Sequence, residues 1–266
     1  MPALVSKSLR DYRRALAGWT VGIVAFFGLY LSFYPNIAQH PDLYGQAALA
    51  KFPGAMRELM GGLEGFTSGV GYLHSLVYQL FGPMLFVVCA AILGNRAIAQ
   101  PEESGTLELT LTLPIDRRRL VFERFAALAL GLLGVAVVTF LAVWALSAAV
   151  GMGVSPGRIL AGHTGVFLLA LFFGTLALAV GAAVGRRGIA MAVVGVVAVG
   201  GYVLESMGRN VEALSWLRRL SPFRYYLDGR PLYQGLPVGD YLVLAGATVA
   251  LLLVAILAFD RRDVGV

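Results

Sequence analysis

Six long apolar runs alternate with polar stretches along the 266 residues of this chain. A helix that crosses about 30 Å of hydrocarbon needs roughly 20 apolar residues, and a backbone in lipid must satisfy its own hydrogen bonds. Each run is therefore predicted to be a transmembrane helix, and none shows the alternation typical of a membrane β-barrel strand. The runs cover residues 17–35, 73–94, 125–151, 159–185, 189–204 and 241–259. The pattern predicts an all-α, polytopic membrane protein with a single transmembrane domain over residues 1–266.

Composition agrees with a membrane location. Hydrophobic residues make up 58% of the chain and the mean hydropathy is +0.77, whereas soluble domains are about 45–50% apolar. The single cysteine, Cys89, lies within the second run, so no disulfide can form within the chain. The lipid bilayer is the expected solvent for most of the chain.

Positive charge is unevenly shared between the two sides that six spans would separate. One set of flanks holds 13 Lys or Arg in 56 residues, and the other set holds 8 in 80. Because basic residues accumulate in cytoplasmic loops, the richer set, which includes both termini, is predicted to be cytoplasmic. No basic patch is interleaved with aromatic residues, so the net charge of +6 does not indicate nucleic-acid binding. The richer set comprises residues 1–16, 95–124, 186–188 and 260–266, and the poorer set comprises 36–72, 152–158 and 205–240.

Residues for catalysis or ion coupling are largely absent. A phosphate-binding loop requires a lysine in a Gly-rich context, and neither Lys7 nor Lys51 has one. His40, His74 and His163 are dispersed, without a second ligand at metal-binding spacing. The six runs contain no Asp, Glu, Lys or Arg, although ion-coupled carriers usually keep such residues inside the membrane. We therefore expect no enzyme activity and no cofactor or metal on this chain, and ATP, if it is used, on another chain.

Short amphipathic segments flank the spans. Residues 1–16 place apolar side chains on one helical face and basic ones on the other, as in an interfacial helix along the inner leaflet. On the outer side, residues 56–63 and 213–220 have apolar positions at helical spacing. These two segments are predicted to be surface helices, with either a packing role or a role as a lid or docking site.

Glycines recur in the fourth and fifth runs. Gly181 and Gly185 are four residues apart, and Gly195, Gly200 and Gly201 form a second cluster. Small residues let membrane helices approach closely. We expect these positions to be packing positions.

The loop at residues 95–124 concentrates charge. The stretch PEESGTLELTLTLPIDRRRLVFERF, residues 101–125, has nine charged side chains in 25 residues. Its alternation of apolar and polar residues is typical of a strand, but a lone strand would leave its edge unpaired. A short helix that begins at Pro101 and ends at Pro114 is favoured instead, with Asp116 capping the next helix. Leucines rimmed by charge predict that this helix meets a protein partner or the bilayer interface.

This stretch resembles the cytoplasmic loop between the second and third spans of ABC exporter permease subunits, in the type-two permease family. The shared pattern is an acidic pair, then G-T-[LI]-E, a few apolar residues, a proline and an Arg-rich helix start. The likeness extends over almost the whole chain, including KFPGAMRELMG, LSPFRYYLDGRPLYQG and the terminal FDRRDVGV. The residues that match the pattern are Glu102, Glu103, Gly105, Thr106, Leu107, Glu108, Pro114, Arg117 and Arg118.

The resemblance implies a six-helix permease, similar to type V exporters, that pairs with a second permease subunit, identical or homologous. It also implies two copies of a separate ATP-binding-cassette ATPase, which carry ATP and Mg, and a cytoplasmic coupling helix that docks on them. The chain would then be a non-catalytic subunit of an exporter in the plasma (inner) membrane of a prokaryote. The residues expected at the ATPase interface are Glu102, Glu103, Gly105, Thr106, Leu107, Glu108, Leu111, Pro114, Arg117 and Arg118.

Two other classes of function stay open at the level of sequence. An ion- or proton-coupled secondary transporter would need titratable groups that the apolar runs lack. A membrane scaffold or sensor without transport would use the charged loop only to recruit a signalling protein. The substrate path is not indicated by the sequence.

Overall fold

The computed structural model describes residues 3–44, 65–107, 116–210 and 212–262. Regular structure in these ranges is helical throughout, and six helices are long and apolar enough to cross a membrane. The prediction of an all-α polytopic membrane protein is confirmed. The predicted surface helix at 56–63 lies outside the described residues.

Each predicted run coincides largely with one of six helices that we call spans 1 to 6, although the runs at 17–35, 125–151 and 159–185 pass the last residue of their helices by three, two and one residues. Elsewhere the helices extend beyond the apolar runs, because their end turns carry polar residues that a hydropathy pattern leaves out. The fifth is the clearest case: the run at 189–204 is the middle of a helix of 24 residues. The spans are Ala3–Ser32, Gly69–Ala97, Arg117–Ala149, Pro156–Val184, Arg187–Asn210 and Val238–Asp260.

Span 1 includes the basic amino-terminal segment. Val5, Ser8 and Tyr12 are buried, whereas Arg10 and Arg13 are exposed, as the amphipathic pattern predicted. The segment is continuous with the apolar run and is not set off as a helix of its own, since no proline or cap interrupts it. The inward face packs against span 3.

Span 2 is not a uniform α-helix. Gly69–Tyr72 and Gly82–Ala97 are α-helical, and Leu73–Phe81 between them is a π-helix. The N–H of Gly82 reaches the carbonyl of Val77, five residues earlier. Pro83 follows at the start of the second α segment and has no N–H to donate, so the regular α ladder is interrupted here. Such wide turns did not follow from the apolar pattern.

Spans 2 and 4 form the centre of the bundle and are its most buried helices. They approach so closely that a Cβ on Gly94 would collide with the carbonyl oxygen of Gly174. Spans 1, 5 and 6 surround this centre and expose apolar side chains such as Val21, Val196 and Leu242. An apolar outward surface is what hydrocarbon solvates.

Tyrosine hydroxyls join the helices at the end of the bundle away from the termini. The hydroxyl of Tyr78 lies 2.6 Å from Nδ1 of His163, and Tyr241 donates to the carbonyl of Ala161 at 2.9 Å. Gly162 makes room for the Tyr78 ring, which a Cβ at that position would overlap. Tyr226 in turn donates to the carbonyl of Tyr78. His163 therefore has the polar partner it needs, and it is not part of a metal site in the chain that the structure describes.

A charged cluster closes the same end. Glu205, 2% exposed, accepts from Arg218 at 2.9 Å, and Arg218 also pairs with Asp228. The hydrogen bond to Glu205 raises the pKa of Arg218 above its usual value. The surface helix predicted at 213–220 is the 3-10 helix Glu212–Leu220, and its apolar residues Trp216 and Leu220 are exposed. The ion pairs of Arg218 connect this helix to Glu205 of span 5 and to Asp228.

Candidate coupling site

The charged loop opens with a short helix, Ala99–Glu103, which we call the loop helix. It ends at Ser104 and Gly105, where the φ of Gly105 is +69°, a conformation that glycine adopts without steric cost. Residues 106–107 are helical again after this break, and the expected stop at Pro114 lies outside the described residues. Pro101 is the third residue of the loop helix instead of the first. Gly105 was the signal in the sequence for this break, because glycine often follows the last residue of a helix.

Hydroxyl groups close the turn that follows. Ser104 and Thr106 both donate to the carbonyl of Pro101, at 3.2 and 3.1 Å. Their oxygens are 2.9 Å apart, and both residues are exposed together with Gly105. The turn is thus held from within and presents small polar groups at the surface.

Glu102 connects the loop helix to the other end of the chain. Its carboxylate pairs with the guanidinium of Arg262, and the two side chains are only 18% and 23% exposed. Arg262 also donates to the carbonyl of Ala182 in span 4, at 3.1 Å. Arg117 donates to the carbonyl of Arg262 at 2.6 Å. One charged pair therefore links the loop helix to spans 3, 4 and 6.

Glu103 faces the start of span 5. Its Oε1 accepts from the backbone N–H of Arg187 at 2.7 Å. The first N–H groups of a helix lack partners within it, and the helix dipole favours an anion there. Glu102 and Glu103, although adjacent, thus bind different partners: the guanidinium of Arg262 and the backbone N–H of Arg187.

The Arg-rich helix start is positioned by its own cap. Asp116 accepts from the N–H of Arg118 at 3.1 Å, as predicted for the N-cap. Arg118 donates to Asp260 at the end of span 6, at 2.7 Å. Arg119 pairs with Glu123 one turn along, at 2.7 Å. The guanidinium groups of Arg118 and Arg119 remain largely exposed.

Leu107 points inward. It is 1% exposed and belongs to an apolar cluster with Ile98, Leu120 and Phe259. A side chain that is buried in this way belongs to the core of the chain itself, so it does not lie on the surface where a partner would dock. Glu108, Leu111 and Pro114 lie outside the described residues.

These contacts bring four separate flanks together at one end of the bundle. Arg124 of span 3 donates to Ser8 of span 1 at 3.2 Å, and the loop helix contacts the starts and ends of spans 4, 5 and 6 as described. The flanks that are rich in Lys and Arg therefore share one side, as predicted from the charge distribution.

Comparison with known proteins gives one family. A family model described as "ABC-2 family transporter protein" matches residues 3–264. The chain belongs to the ABC-2 family of transporter proteins. It is a multi-pass membrane protein and the permease component of an ABC transporter. Among curated proteins, no match was found.

Several residues at the site of this ABC-2 permease were not singled out from the sequence. Arg262, Asp260 and Arg187 are the partners of the loop residues. These partners are far from the loop along the chain, so the sequence does not indicate that they pair with it. The signal that the sequence did offer was two consecutive arginines at each of two helix boundaries, 186–187 and 261–262.

The glycines expected at packing positions divide into two groups. Gly181 and Gly185 of the ABC-2 permease lie against Ala99 and Glu102, so they make room for the loop helix. Gly201 contacts the residues after the 3-10 helix, and its role in packing is confirmed. A Cβ added at Gly195 or Gly200 would meet no atom within 4 Å, so no close helix contact of the described chain requires glycine at these two positions.

Proposed function

We propose that this ABC-2 permease is the membrane subunit of an ATP-driven exporter in a prokaryotic plasma membrane. Two copies of a separate ATPase carry ATP and Mg and dock on the loop that contains the loop helix. A second permease subunit, identical or homologous, completes the transporter. Both termini face the cytoplasm, which is the side that the Lys- and Arg-rich flanks favour.

The observation that carries the proposal is the double anchoring of the loop helix. Glu102 pairs with Arg262 at the end of span 6, and Glu103 accepts from Arg187 at the start of span 5. A partner that displaces the loop must therefore displace these helix ends or break the contacts. A loop of this kind transmits motion, whereas a loop that only recruits a protein has no need of such contacts.

The exposed face of span 5 supports a second permease subunit. Val196 and Val199 are 74% and 67% exposed, and Gly195 and Gly200 on the same helix have open space around them. Small residues on an apolar face allow the backbone of another helix to come close. We infer that span 5 is one of the helices at the permease dimer interface.

The decisive experiment measures ATPase association. An ATP-binding-cassette ATPase, sought first in the reading frames next to that of this chain, is co-expressed with it, and the purified chain alone is expected to hydrolyse no ATP. Leu111→Asp should abolish co-purification, because a carboxylate replaces an apolar contact. Leu43→Asp is the matched control, since Leu43 is 66% exposed and lies in the short helix Pro41–Tyr44 between spans 1 and 2. Leu107→Asp should instead lower the thermal unfolding midpoint, because its carboxylate would be buried.

Three results would count against the proposal. Retention of the ATPase and of its activity by Leu111→Asp would remove the coupling role of the loop. Binding of no ATPase under any condition would favour a scaffold. Uptake into energised vesicles that collapses with an ionophore and ignores ATP depletion would show a secondary transporter.

A further inference from the structure

A polar cleft of about 350 Å³ opens beside the loop helix. It lies between the first turns of span 1, the end of span 2 and the start of span 3. Pro101, Ser104 and Thr106 of the coupling site form one wall and Arg124 another, whereas Lys7, Asp11, Tyr12 and Arg96 take no part in the contacts described for that site. The charged and phenolic side chains that line it are Lys7, Asp11, Tyr12, Arg96 and Arg124.

Arg124 gives the cleft a buried cation. Its side chain is 8% exposed, and one terminal nitrogen donates to Ser8 at 3.2 Å. Its Nε is buried and has no hydrogen-bond partner within the part of the chain that the structure describes. The hydroxyl of Tyr12, 3% exposed, lies beside this guanidinium and interacts with it. A buried guanidinium that leaves a donor unused is costly unless a ligand accepts from it.

The charge of the cleft is positive. Among the described residues that line it, Lys7, Arg96 and Arg124 carry positive charge and Asp11 is the one carboxylate. Over the described residues, Arg96 makes neither a hydrogen bond nor an ion pair. Guanidinium groups bind phosphate oxygens in parallel pairs of hydrogen bonds. The cleft thus offers the donors and the charge that one phosphate monoanion requires.

The position of the cleft along the bundle matches the layer of lipid headgroups. Arg124 lies in the third turn of span 3 and is followed by 25 residues up to the end of the helix at Ala149. At about 1.5 Å per residue these 25 residues span roughly 37 Å, more than the roughly 30 Å of hydrocarbon. The guanidinium is therefore at the boundary where phosphates of the leaflet lie.

We propose that this cleft binds the phosphate of an anionic phospholipid from the leaflet at the end of the bundle that carries the loop helix. The headgroup phosphate accepts from Arg124 and Tyr12, with Arg96 and Lys7 around it. Span 1 is then fastened to the loop region through a lipid as well as through the bond from Arg124 to Ser8. This site does not depend on the ATPase.

The test uses the full chain alone, purified in detergent, with lipid retention read by native mass spectrometry. The probes are phosphatidylglycerol, phosphatidylcholine and inorganic phosphate. Arg96→Gln removes a cation that has no other task in the described structure, and Arg14→Gln, exposed and outside the cleft, is the matched control. Lys7→Gln, at an exposed position, repeats the measurement if Arg96→Gln fails to fold.

Wild type and Arg14→Gln are expected to retain phosphatidylglycerol over phosphatidylcholine. Arg96→Gln should weaken that retention about five-fold, the factor expected for one cation at a membrane surface. Equal losses in Arg96→Gln and Arg14→Gln would overturn the site. Equal retention of the two lipids, with inorganic phosphate bound in an Arg96-dependent way, would show a free-anion site and overturn the lipid assignment.

Discussion

At the scale of single residues, Glu102 and Glu103 show how neighbouring side chains of the same type acquire different roles. Glu103 is exposed and meets a backbone N–H, so water can replace its partner. Glu102 is mostly buried, and its second oxygen has no hydrogen-bond partner in the residues described. Removal of its cation would leave a carboxylate that water reaches poorly, which is the expensive case.

Arg262→Ala is therefore expected to lower the stability of the ABC-2 permease, whereas Arg261→Ala is not. The lost pair is partly exposed, so the expected cost is about 1 kcal/mol. Arg261, the neighbouring exposed cation, is the matched control. Thermal unfolding followed by intrinsic fluorescence in detergent measures both. An unchanged midpoint for Arg262→Ala would mean that the link between Glu102 and Arg262 contributes nothing to stability.

At the scale of helices, the central contact between spans 2 and 4 depends on glycine. A Cβ at Gly94 would overlap a backbone oxygen, which cannot move without moving the whole helix. A Cβ at Gly134 in span 3, by contrast, would meet no atom within 4 Å. Both glycines follow a leucine in an apolar helix, yet only the first has a steric reason to be glycine.

Gly94→Ala should cost about 1–3 kcal/mol, the usual range for overpacking. Gly134→Ala should be neutral or slightly stabilising, because alanine is the better helix former. The thermal unfolding midpoints of the two variants, each compared with that of the wild type, measure this difference. Equal midpoints would show that spans 2 and 4 can separate without loss.

The same two glycines show the limit of prediction from sequence. Apolar runs of sufficient length predict that helices exist, since the bilayer imposes that rule on any chain. They do not predict which faces meet, because lipid and protein interior are equally apolar. The π-helix Leu73–Phe81 and the inward position of Leu107 depend on neighbours far along the chain. Asp116 and Gly105, by contrast, bond or turn within a few residues of their own positions, so their roles at helix ends can be predicted from the sequence.

At the scale of the whole molecule, the charged flanks meet at one end, and a face of span 5 is left without a partner in a single chain. Disulfide trapping tests whether another copy covers this face. The only native thiol, Cys89, is buried and is first replaced by alanine. The pair compared is Val199→Cys in span 5 and Val254→Cys in span 6, which are 67% and 55% exposed.

Val199→Cys is expected to form covalent dimers in membranes under mild oxidation, and Val254→Cys to remain mostly monomeric. Non-reducing gel electrophoresis separates the two outcomes. Dimers from Val254→Cys alone would show that the interface lies at span 6 instead of span 5. Dimers from neither position would show that span 5 does not meet its copy near this depth.

The fit between Gly162 and Tyr78 has a consequence for how the family can diverge. The ring of Tyr78 occupies the volume that a side chain at position 162 would need, and its hydroxyl holds His163. Neither position can change size by itself without a collision or a void. An alignment of relatives should therefore show the two positions varying together: where 162 is larger than glycine, 78 should carry a smaller residue, and 163 should no longer be histidine.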